Sequence, residues 1–447
     1  MIHYAGHEIK VVREVGCVVV GGGTSGVTAA YAAANEGIDT LLIEKTIALG
    51  GTQTNALVSP MMPTHVQPRG VNRYILNRLE EHGVKTDDGT TNCRWFNVET
   101  LTAVLDELLE QVGCQVLYDG VVIDVLKDED TITHLIVQTC AGLVAIQTQT
   151  VIDASADAVV ARVSGIPTSS GDENGHNQQM TFRFEMGGVD LARVRDYVLG
   201  LGETFCQIED SDFFEIVMVP GKGHVLEGLF REGLATGELT VDDLKYFQGF
   251  TQPGKPGVFS FNCPHIPRLT DTTDPFARSE AVRIGRQMMQ RLSRFLVRHL
   301  PGFESAFLLK EATQLGIRES YRIHGKYVLS ETDYANRARF HDAIAKGDWY
   351  VDVHRVKGDE SLPKKYTAGE YYEIPYRALI VNEVTNVIFA GRHISSTFLM
   401  QASLRIQPTL RDVGEATGLA VALALKTKTA LNELDGALIR ERMEVLQ

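Results

Sequence analysis

The sequence predicts an α/β fold: a Rossmann-like unit with a parallel sheet and a β-meander, and an α+β region inserted into it. Three observations predict it. An apolar strand runs into a glycine turn and a helix near the N-terminus, three strand-like runs follow one another over residues 116–153, and a second apolar strand with a helix rich in small residues returns near the C-terminus.

Residues 15–45, VGCVVVGGGTSGVTAAYAAANEGIDTLLIEK, read as strand, tight turn, helix and second strand. Val18, Val19 and Val20 are apolar and β-branched, which suits a strand buried on both faces of a parallel sheet. Gly21, Gly23 and Gly26 give GxGxxG. The first turns the chain, the second lets backbone approach a pyrophosphate, and the third lets the helix pack on the strand. Thr24 and Ser25 stand inside the motif, where the helix N-terminus offers unpaired N–H groups and its positive dipole end. The second strand, Thr40–Ile43, ends on Glu44, followed by Lys45. A carboxylate there accepts both hydrogen bonds of a ribose diol and repels a 2′-phosphate, which argues against NADP.

Length and composition set the bounds. A chain of 447 residues is long enough for a large core and two domains. With 44% hydrophobic and 22% charged residues it has the composition of a globular protein. The net charge of −14 argues against a nucleic-acid partner. Cys17, Cys93, Cys114, Cys140, Cys206 and Cys263 form no CxxC and no metal-ligand spacing, so reduced thiols, no metal and a cytoplasmic location are expected. The N-terminal MIHYAGHEIKVVREVG has no signal-peptide pattern, and no run reaches the ~18 uninterrupted apolar residues of a membrane span.

Gly50-Gly51 with Thr52 offers bare backbone and a hydroxyl shortly after Glu44, a second contact for phosphate. Pro60, Pro63 and Pro68 then enforce an irregular loop near the bound group. Asn97–Gly113 reads as an amphipathic helix with Leu101, Val104, Leu105, Leu108, Leu109 and Val112 on one face, Asn97 as N-cap and Gly113 as terminator. Val116–Leu126, Thr131–Thr139 and Leu143–Asp153 follow as a meander. The last run leaves through Ala154, Ser155, Ala156 and Asp157, small residues that let the chain pass close to a dinucleotide.

These motifs, with GIRESYRIHGKYVL from Gly316, YVDVH from Tyr350, YYEIPYR from Tyr371, AGRHISS from Ala390 and SLRIQPTLRDVGEATG from Ser403, carry a resemblance. The chain resembles the FAD-dependent oxidoreductases of the glutathione-reductase type 2 superfamily, the group that contains fumarate reductase flavoproteins. Within it, the chain is similar to FAD-dependent oxidoreductases that also resemble the flavin-binding part of heterodisulfide reductase. The resemblance implies non-covalent FAD, with Val122, Gly391, Arg392, Pro408 and Thr409 added to the residues above as its contacts. Ser155-Ala156 departs from the Thr-Gly of the family's usual I-D-A-T-G-D pattern.

Residues 1–164 and 384–447 are expected to form the FAD-binding domain, and 165–383 an inserted substrate domain. Gln178–Met186 alternates as a strand, and Pro275 after Asp274 opens a helix that ends before Pro301. Arg278, Arg283, Arg286, Arg291, Arg294 and Arg298 lie on that helix, either as an anion surface or as a solvated face. Asn386–Ala390 is a buried strand entering Gly391-Arg392-His393, and Pro408 opens a helix at its first position, with Gly414, Ala416, Gly418 and Ala422 small enough for close packing. In the family that helix aims its N-terminus at the flavin pyrimidine edge, where reduced flavin carries negative charge.

Hydride transfer at a flavin requires a proton donor or acceptor beside the substrate. His354, oriented by Asp352, is the candidate. Arg322, Arg377 and Arg405 are candidate clamps for a carboxylate or enolate oxygen, or else internal ion pairs with Glu319, Glu373 or Glu415. Arg318, Tyr376 and His65 are further candidates. The function expected is hydride transfer between FAD and a small organic substrate. The alternatives are an electron-relay flavoprotein that works with a partner protein, and an NAD-dependent dehydrogenase. Homo-oligomerisation stays open.

Overall fold

The computed structural model describes residues 1–83, 95–204, 208, 212–354 and 365–445. Its main sheet is assembled from both ends of the chain. β1 (Ile2–Tyr4) and β2 (His7–Val20) form a hairpin, α1 (Thr24–Asn35) follows the glycine turn, and β3 (Thr40–Glu44) returns parallel to β2 with Val19 beside Leu42. Two helices, α2 (Gly70–Glu81) and α3 (Val98–Gln111), precede β4 (Gln115–Tyr118), β5 (Val121–Asp128), β6 (Thr131–Thr139) and β7 (Gly142–Asp153). The strand order is β4-β3-β2-β7-β6-β5. β7 is antiparallel to β6 over its first half and parallel to β2 along its length, so one strand serves both the meander and the parallel sheet.

Next come α4 (Val159–Val163), β8 (Thr168–Ser170), β9 (Phe184–Gly187), α5 (Leu191–Gly200) and β10 (Glu215–Met218). They are followed by α6 (Glu227–Ala235), α7 (Val241–Leu244), β11 (Phe247–Thr251), β12 (Phe259–Phe261), α8 (Pro275–His299) and β13 (Phe307–Glu311). An antiparallel sheet, β10-β11-β12-β9-β13, is cored by phenylalanines, with Phe184 stacked on Phe261 at 4.4 Å and Phe230 packed against Phe247 and Phe295.

β14 (Tyr321–Ile323) pairs with β8, α9 (Glu331–Ala335) follows, and β15 (Ala343–Gly347) pairs with β16 (Tyr372–Pro375). The chain then re-enters the main sheet. β17 (Val387–Phe389) adds parallel to the end of β7, with Phe389 beside Asp153. After α10 (Phe398–Leu404), the helix α11 (Gln407–Thr427) crosses α1, and α12 (Gly436–Val445) packs on β15 and α11. Gly414 and Gly418 permit that crossing: a Cβ on Gly414 would stand 2.1 Å from the Ser25 carbonyl oxygen, and one on Gly418 2.3 Å from that of Ala29. The Rossmann-like parallel sheet with its meander, and the α+β region between its two parts, are as the sequence predicts.

Four local expectations are corrected. Val116–Leu126 is two strands, because Asp119 turns the chain at φ 55° and sends β4 to the edge beside β3 while β5 joins the meander. Only Phe184–Gly187 of the run from Gln178 is strand, since Gln179 N–H goes to the His354 carbonyl and Thr181 bridges to His265 and Gly316. The N-terminal residues, to which the sequence assigns no element, extend β2 to fourteen residues. Pro408 is the second residue of its helix, because Ile406 is the extended N-cap. Asn97 caps α3 as expected, its side-chain oxygen accepting from Glu99 and Thr100 N–H. Cys17, Cys114, Cys140 and Cys263 are free thiols; Cys93 and Cys206 lie outside the described residues.

Candidate active site

The glycine turn is built by close approach. A Cβ on Gly26 would lie 1.8 Å from the Gly21 carbonyl oxygen, whereas one on Gly23 would meet nothing nearer than the Gly51 Cα at 4.0 Å. The third glycine is therefore required by packing, and the second floors an open space. α1 starts on Gly23 with no side-chain cap and no acidic residue in its first turn, which leaves the N–H groups around Thr24, Ser25 and Gly26 free of a side-chain acceptor. The second glycine pair closes on the first: Gly50 N–H donates to Gly22 O at 2.8 Å, with Gly51 and Thr52 opening a short 3-10 turn beside it.

Glu44 is nine-tenths buried, and its carboxylate accepts from Gly22 N–H at 2.7 Å and from Thr46 N–H at 2.9 Å. It thus locks the turn, a task the sequence does not reveal; Thr46 Oγ1 also donates to Oε1 at 2.8 Å, so Oε2 is the oxygen that keeps a further lone pair for a ribose hydroxyl. Ser25 Oγ, Gln53 Nε2 and Arg392 Nε are buried without a hydrogen-bond partner. Lys45, Ser155, Asp157, Arg278, Gln314 and Arg392 line an adjoining cleft of about 270 Å³. Within it Asp157 accepts from Arg392 at 2.6 Å and Arg278 at 3.1 Å, and those guanidinium groups hold its carboxyl well below the usual range despite burial. Three cations to one anion, an open floor and orphaned donors are what a diphosphate-bearing dinucleotide requires.

The structure places the remaining residues that the sequence assigns to the cofactor as follows. Ala154 donates its N–H to Val20 O, and its carbonyl oxygen would meet a Cβ on Gly21 at 2.6 Å. Gly391 follows β17, within reach of Ser25 Oγ. Val122 is buried in β5. Pro408 and Thr409 form the buried first turn of α11, where Thr409 Oγ1 donates to Lys346 O at 3.2 Å. Arg278 reaches the cleft although its sequence context marks it only as part of an arginine-rich helix face. Its neighbours Arg283, Arg286, Arg291 and Arg298 pair with Glu280, Glu311, Asp243 and Glu238, so most of the charge on that face is paired.

One end of α11 leads from the cradle to a second cluster. Gly414 touches Ser25, and at 1.5 Å per residue the start of the helix lies ~10 Å further along its axis. Arg405 stands directly before that start. Its Nη2 donates to Asp352 O at 3.1 Å and Asp352 Oδ2 at 3.2 Å, while His354 Nε2 lies 3.3 Å from Asp352 Oδ1. A carboxylate only accepts, so the Nε2 hydrogen of His354 faces Asp352 and Nδ1 keeps its lone pair. Arg318 and His265 complete the cluster, with the His265 ring 5.3 Å from that of His354 and stacked on Tyr246 at 4.5 Å. Arg405, Asp352 and His354 keep 17%, 23% and 24% of their side-chain surface exposed, as the lining of a recess does. Burial, then the positive charge of Arg318, push His354 down to about 4, so its imidazole is neutral at neutral pH.

Gln178 and Gln401, both fully buried, brace this cluster. Gln178 Nε2 donates to Gln401 Oε1 at 3.0 Å, and Gln401 Nε2 to Arg318 O at 2.8 Å. Sequence reasoning misses both, together with His265 and Tyr246, because no local spacing links residues 178, 246, 265 and 401.

Other candidates are placed elsewhere. Arg322 forms a buried ion pair with Glu319, the second of the two roles its sequence context allows. Arg377 pairs with Asp342 at 2.8 Å on a 40% exposed side chain, and not with Glu373. Tyr376 is buried with its hydroxyl donating to Leu431 O at 2.7 Å, and His65 is exposed. Arg405 does not reach Glu415. That carboxylate accepts from Val71 N–H at 3.1 Å and so caps α2. Among the described residues no cluster could hold a metal ion, and no helix is long and apolar enough to cross a membrane.

Burial, then the neighbouring Asp412, push Glu415 up to about 7. A carboxyl raised in the folded state stays protonated there after the unfolded chain has released its proton. Stability therefore falls as pH rises between the two values, by ~3 kcal/mol in full. Glu415→Gln keeps an oxygen for Val71 and removes the ionisation. Calorimetry across pH is expected to show its Tm a few degrees above the parent's beyond about pH 7 and level with it near about pH 4.5.

The model of the FAD dependent oxidoreductase family matches residues 16–443. No curated protein matches the sequence. Among solved structures, the flavin-dependent brominase Bmp2 aligns over 96% of this chain and 84% of its own, with 12% identity and a TM-score of 0.51. A geranylgeranyl bacteriochlorophyll reductase-like protein from Thermoplasma acidophilum aligns over 97% of this chain and 83% of its own, at 13% identity and a TM-score of 0.48. p-Nitrophenol 4-monooxygenase PnpA from Pseudomonas putida aligns over 97% and 84%, at 13% and 0.47. At such identity the first of these shows a shared fold. The family match sets aside the NAD-dependent alternative that the glycine motif left open: the chain belongs to the FAD-dependent oxidoreductase family, it is an enzyme, and its cofactor is FAD.

Proposed function

We propose that the enzyme transfers hydride between FAD and a small organic acid, with the substrate in the recess formed by His354, Asp352, Arg405, Arg318 and His265. The observation that carries this reading is the meeting of a neutral histidine, its orienting carboxylate and two guanidinium groups just before the N-terminus of α11, the helix whose middle rests on the glycine turn. Bound flavin supplies the two-electron chemistry. The chain supplies the rest. Gly21, Gly23, Gly26, Gly50 and Gly51 with the first turn of α1 hold the diphosphate, Glu44 the ribose, and Lys45, Asp157 and Arg392 the adjoining cleft. His354 holds or accepts the substrate proton at Nδ1, and Asp352 fixes its tautomer while sharing Arg405.

Residues 165–383 act as the substrate domain in this reading, since they provide His265, Arg318 and His354. Within the family we place the chain beside the fumarate reductase flavoproteins of the glutathione-reductase type 2 group. AGRHISS and SLRIQPTLRDVGEATG support that placement. Anaerobic mixing of the FAD-loaded protein with small organic acids, alcohols and alkenes tests the reading. One or more acids are expected to bleach the oxidised flavin, or to reoxidise it once reduced, without a partner protein. Exchange only with alcohols or with an added protein would overturn it.

A further inference from the structure

Arg318 sits in the recess with no carboxylate of its own. Its Nη1 donates to Gln179 O and to Thr181 Oγ1, both at 2.6 Å, and its Nη2 lies 3.4 Å from His265 Nε2. Arg183 nearby donates to Leu57 O and Asn262 Oδ1, again neutral acceptors. Asp352 is the carboxylate the cluster holds, and it is already divided between His354 and Arg405. Among the described residues no acidic side chain lies within ion-pair distance of Arg318. A half-buried guanidinium whose nearest carboxylate, Asp352, is already shared by two other groups is only partly neutralised, and a planar anion matches its fork.

We propose that Arg318, backed by His265, is the docking point for the anionic group of the substrate, a carboxylate or enolate oxygen, and that docking there draws a proton from solvent onto Nδ1 of His354. This rests on the placement of the substrate in this recess. The groups facing His354 are Asp352 and Tyr350 from its own segment, Arg318 and His265 from the two segments packed on it, and Arg405 from the end of α10. Arg183 and Tyr246 lie behind His265. Asp352 favours the imidazolium while Arg318 and Arg405 oppose it. An anion on Arg318 cancels the larger opposing charge and leaves the Asp352 attraction in place, so the balance tips toward protonation. The proton goes to Nδ1 because Nε2 already donates to Asp352. Its source is water, no covalent bond to carbon is involved, and the charge of the bound complex is unchanged by anion plus proton together. The recess thus carries an acid only while an anion occupies it.

Nitrate is the probe, a planar monoanion with no titratable proton near neutral pH. It is titrated into FAD-loaded protein by calorimetry in buffers of different ionisation enthalpy, at fixed ionic strength, with flavin content read from absorbance. Because the anion cancels the charge of Arg318 and not the burial, uptake of a fraction of a proton is expected between about pH 4 and His354's ordinary ~6.5, vanishing above about pH 8. Arg318→Gln is expected to weaken nitrate binding ~10-fold or more, with Arg318→Lys retaining part of it. His354→Asn is expected to bind nitrate while taking up no proton. Nitrate binding without proton uptake, or equal binding by Arg318→Gln with its flavin intact, overturns the proposal. If both nitrate results hold yet small acids leave the flavin unchanged, the anion switch stands and the hydride-transfer reading is the one that fails.

Discussion

A Gly26→Ala protein is expected to purify with little or no FAD, measured as the ratio of flavin to protein absorbance and by calorimetric titration of FAD into the apoprotein. Alanine is the best helix former, so propensity alone would favour the change within α1. Space forbids it. The added methyl carbon would stand 1.8 Å from the Gly21 carbonyl oxygen and 3.1 Å from Ala154 Cβ, and the first of these is backbone that no rotamer change can move aside. Either α1 lifts from the sheet or the turn at Gly21 opens. In both cases the uncapped N–H groups leave the position proposed for the diphosphate, and FAD affinity is expected to fall ~100-fold or more, with a stability loss of ~1–3 kcal/mol from overpacking. Gly23→Ala is the informative contrast. Its methyl enters open space in the structure, so the apoprotein is expected to keep its stability while FAD binding weakens because the methyl occupies the floor of the cradle. Equal FAD content in Gly26→Ala and the parent would remove the glycine turn from the cofactor site.

The contrast between those glycines explains what the sequence discloses and what it withholds. Strand, turn, helix and acidic strand end at residues 18–44 are local, and each obeys a spacing rule, so they can be read in order along the chain. The meander and the α3 cap are legible for the same reason. The pairing of α1 with α11 is half legible: Gly414 and Gly418 announce a close contact, but nothing local names Ser25 and Ala29 as what they touch. The candidate recess is least legible. His354 and Asp352 stand two apart and could be suspected together, yet Gln178, His265, Arg318 and Gln401 meet them only because four separate segments converge. Arg322 illustrates the opposite error. It shares a motif with Arg318, four residues before it, but β14 turns it toward Glu319 and Gly171 O, so motif membership does not predict what a side chain faces.

That difference separates a chemical role from a structural one by magnitude. With an acid that bleaches the parent protein, His354→Asn is expected to slow flavin reduction ~10²- to 10⁴-fold, the range that a positioned acid or base contributes. FAD content and Tm should change little, because the His354 side chain is partly exposed and its backbone, not its ring, holds Gln178 and Gln179. Arg322→Gln is expected to do the reverse. It leaves Glu319 buried without its cation, a change that costs ~3–5 kcal/mol, so unfolding moves to lower temperature while the rate per bound flavin stays near the parent's. Arg377→Gln should leave the rate unchanged and lower the unfolding temperature by less than Arg322→Gln does, since Asp342 is buried but its partner is 40% exposed. Stopped-flow reduction beside thermal unfolding on the three variants reads both axes at once. A His354→Asn protein that reduces its flavin as fast as the parent would take the proton-transfer role from His354 and leave Arg318 and Arg405 as binding groups alone.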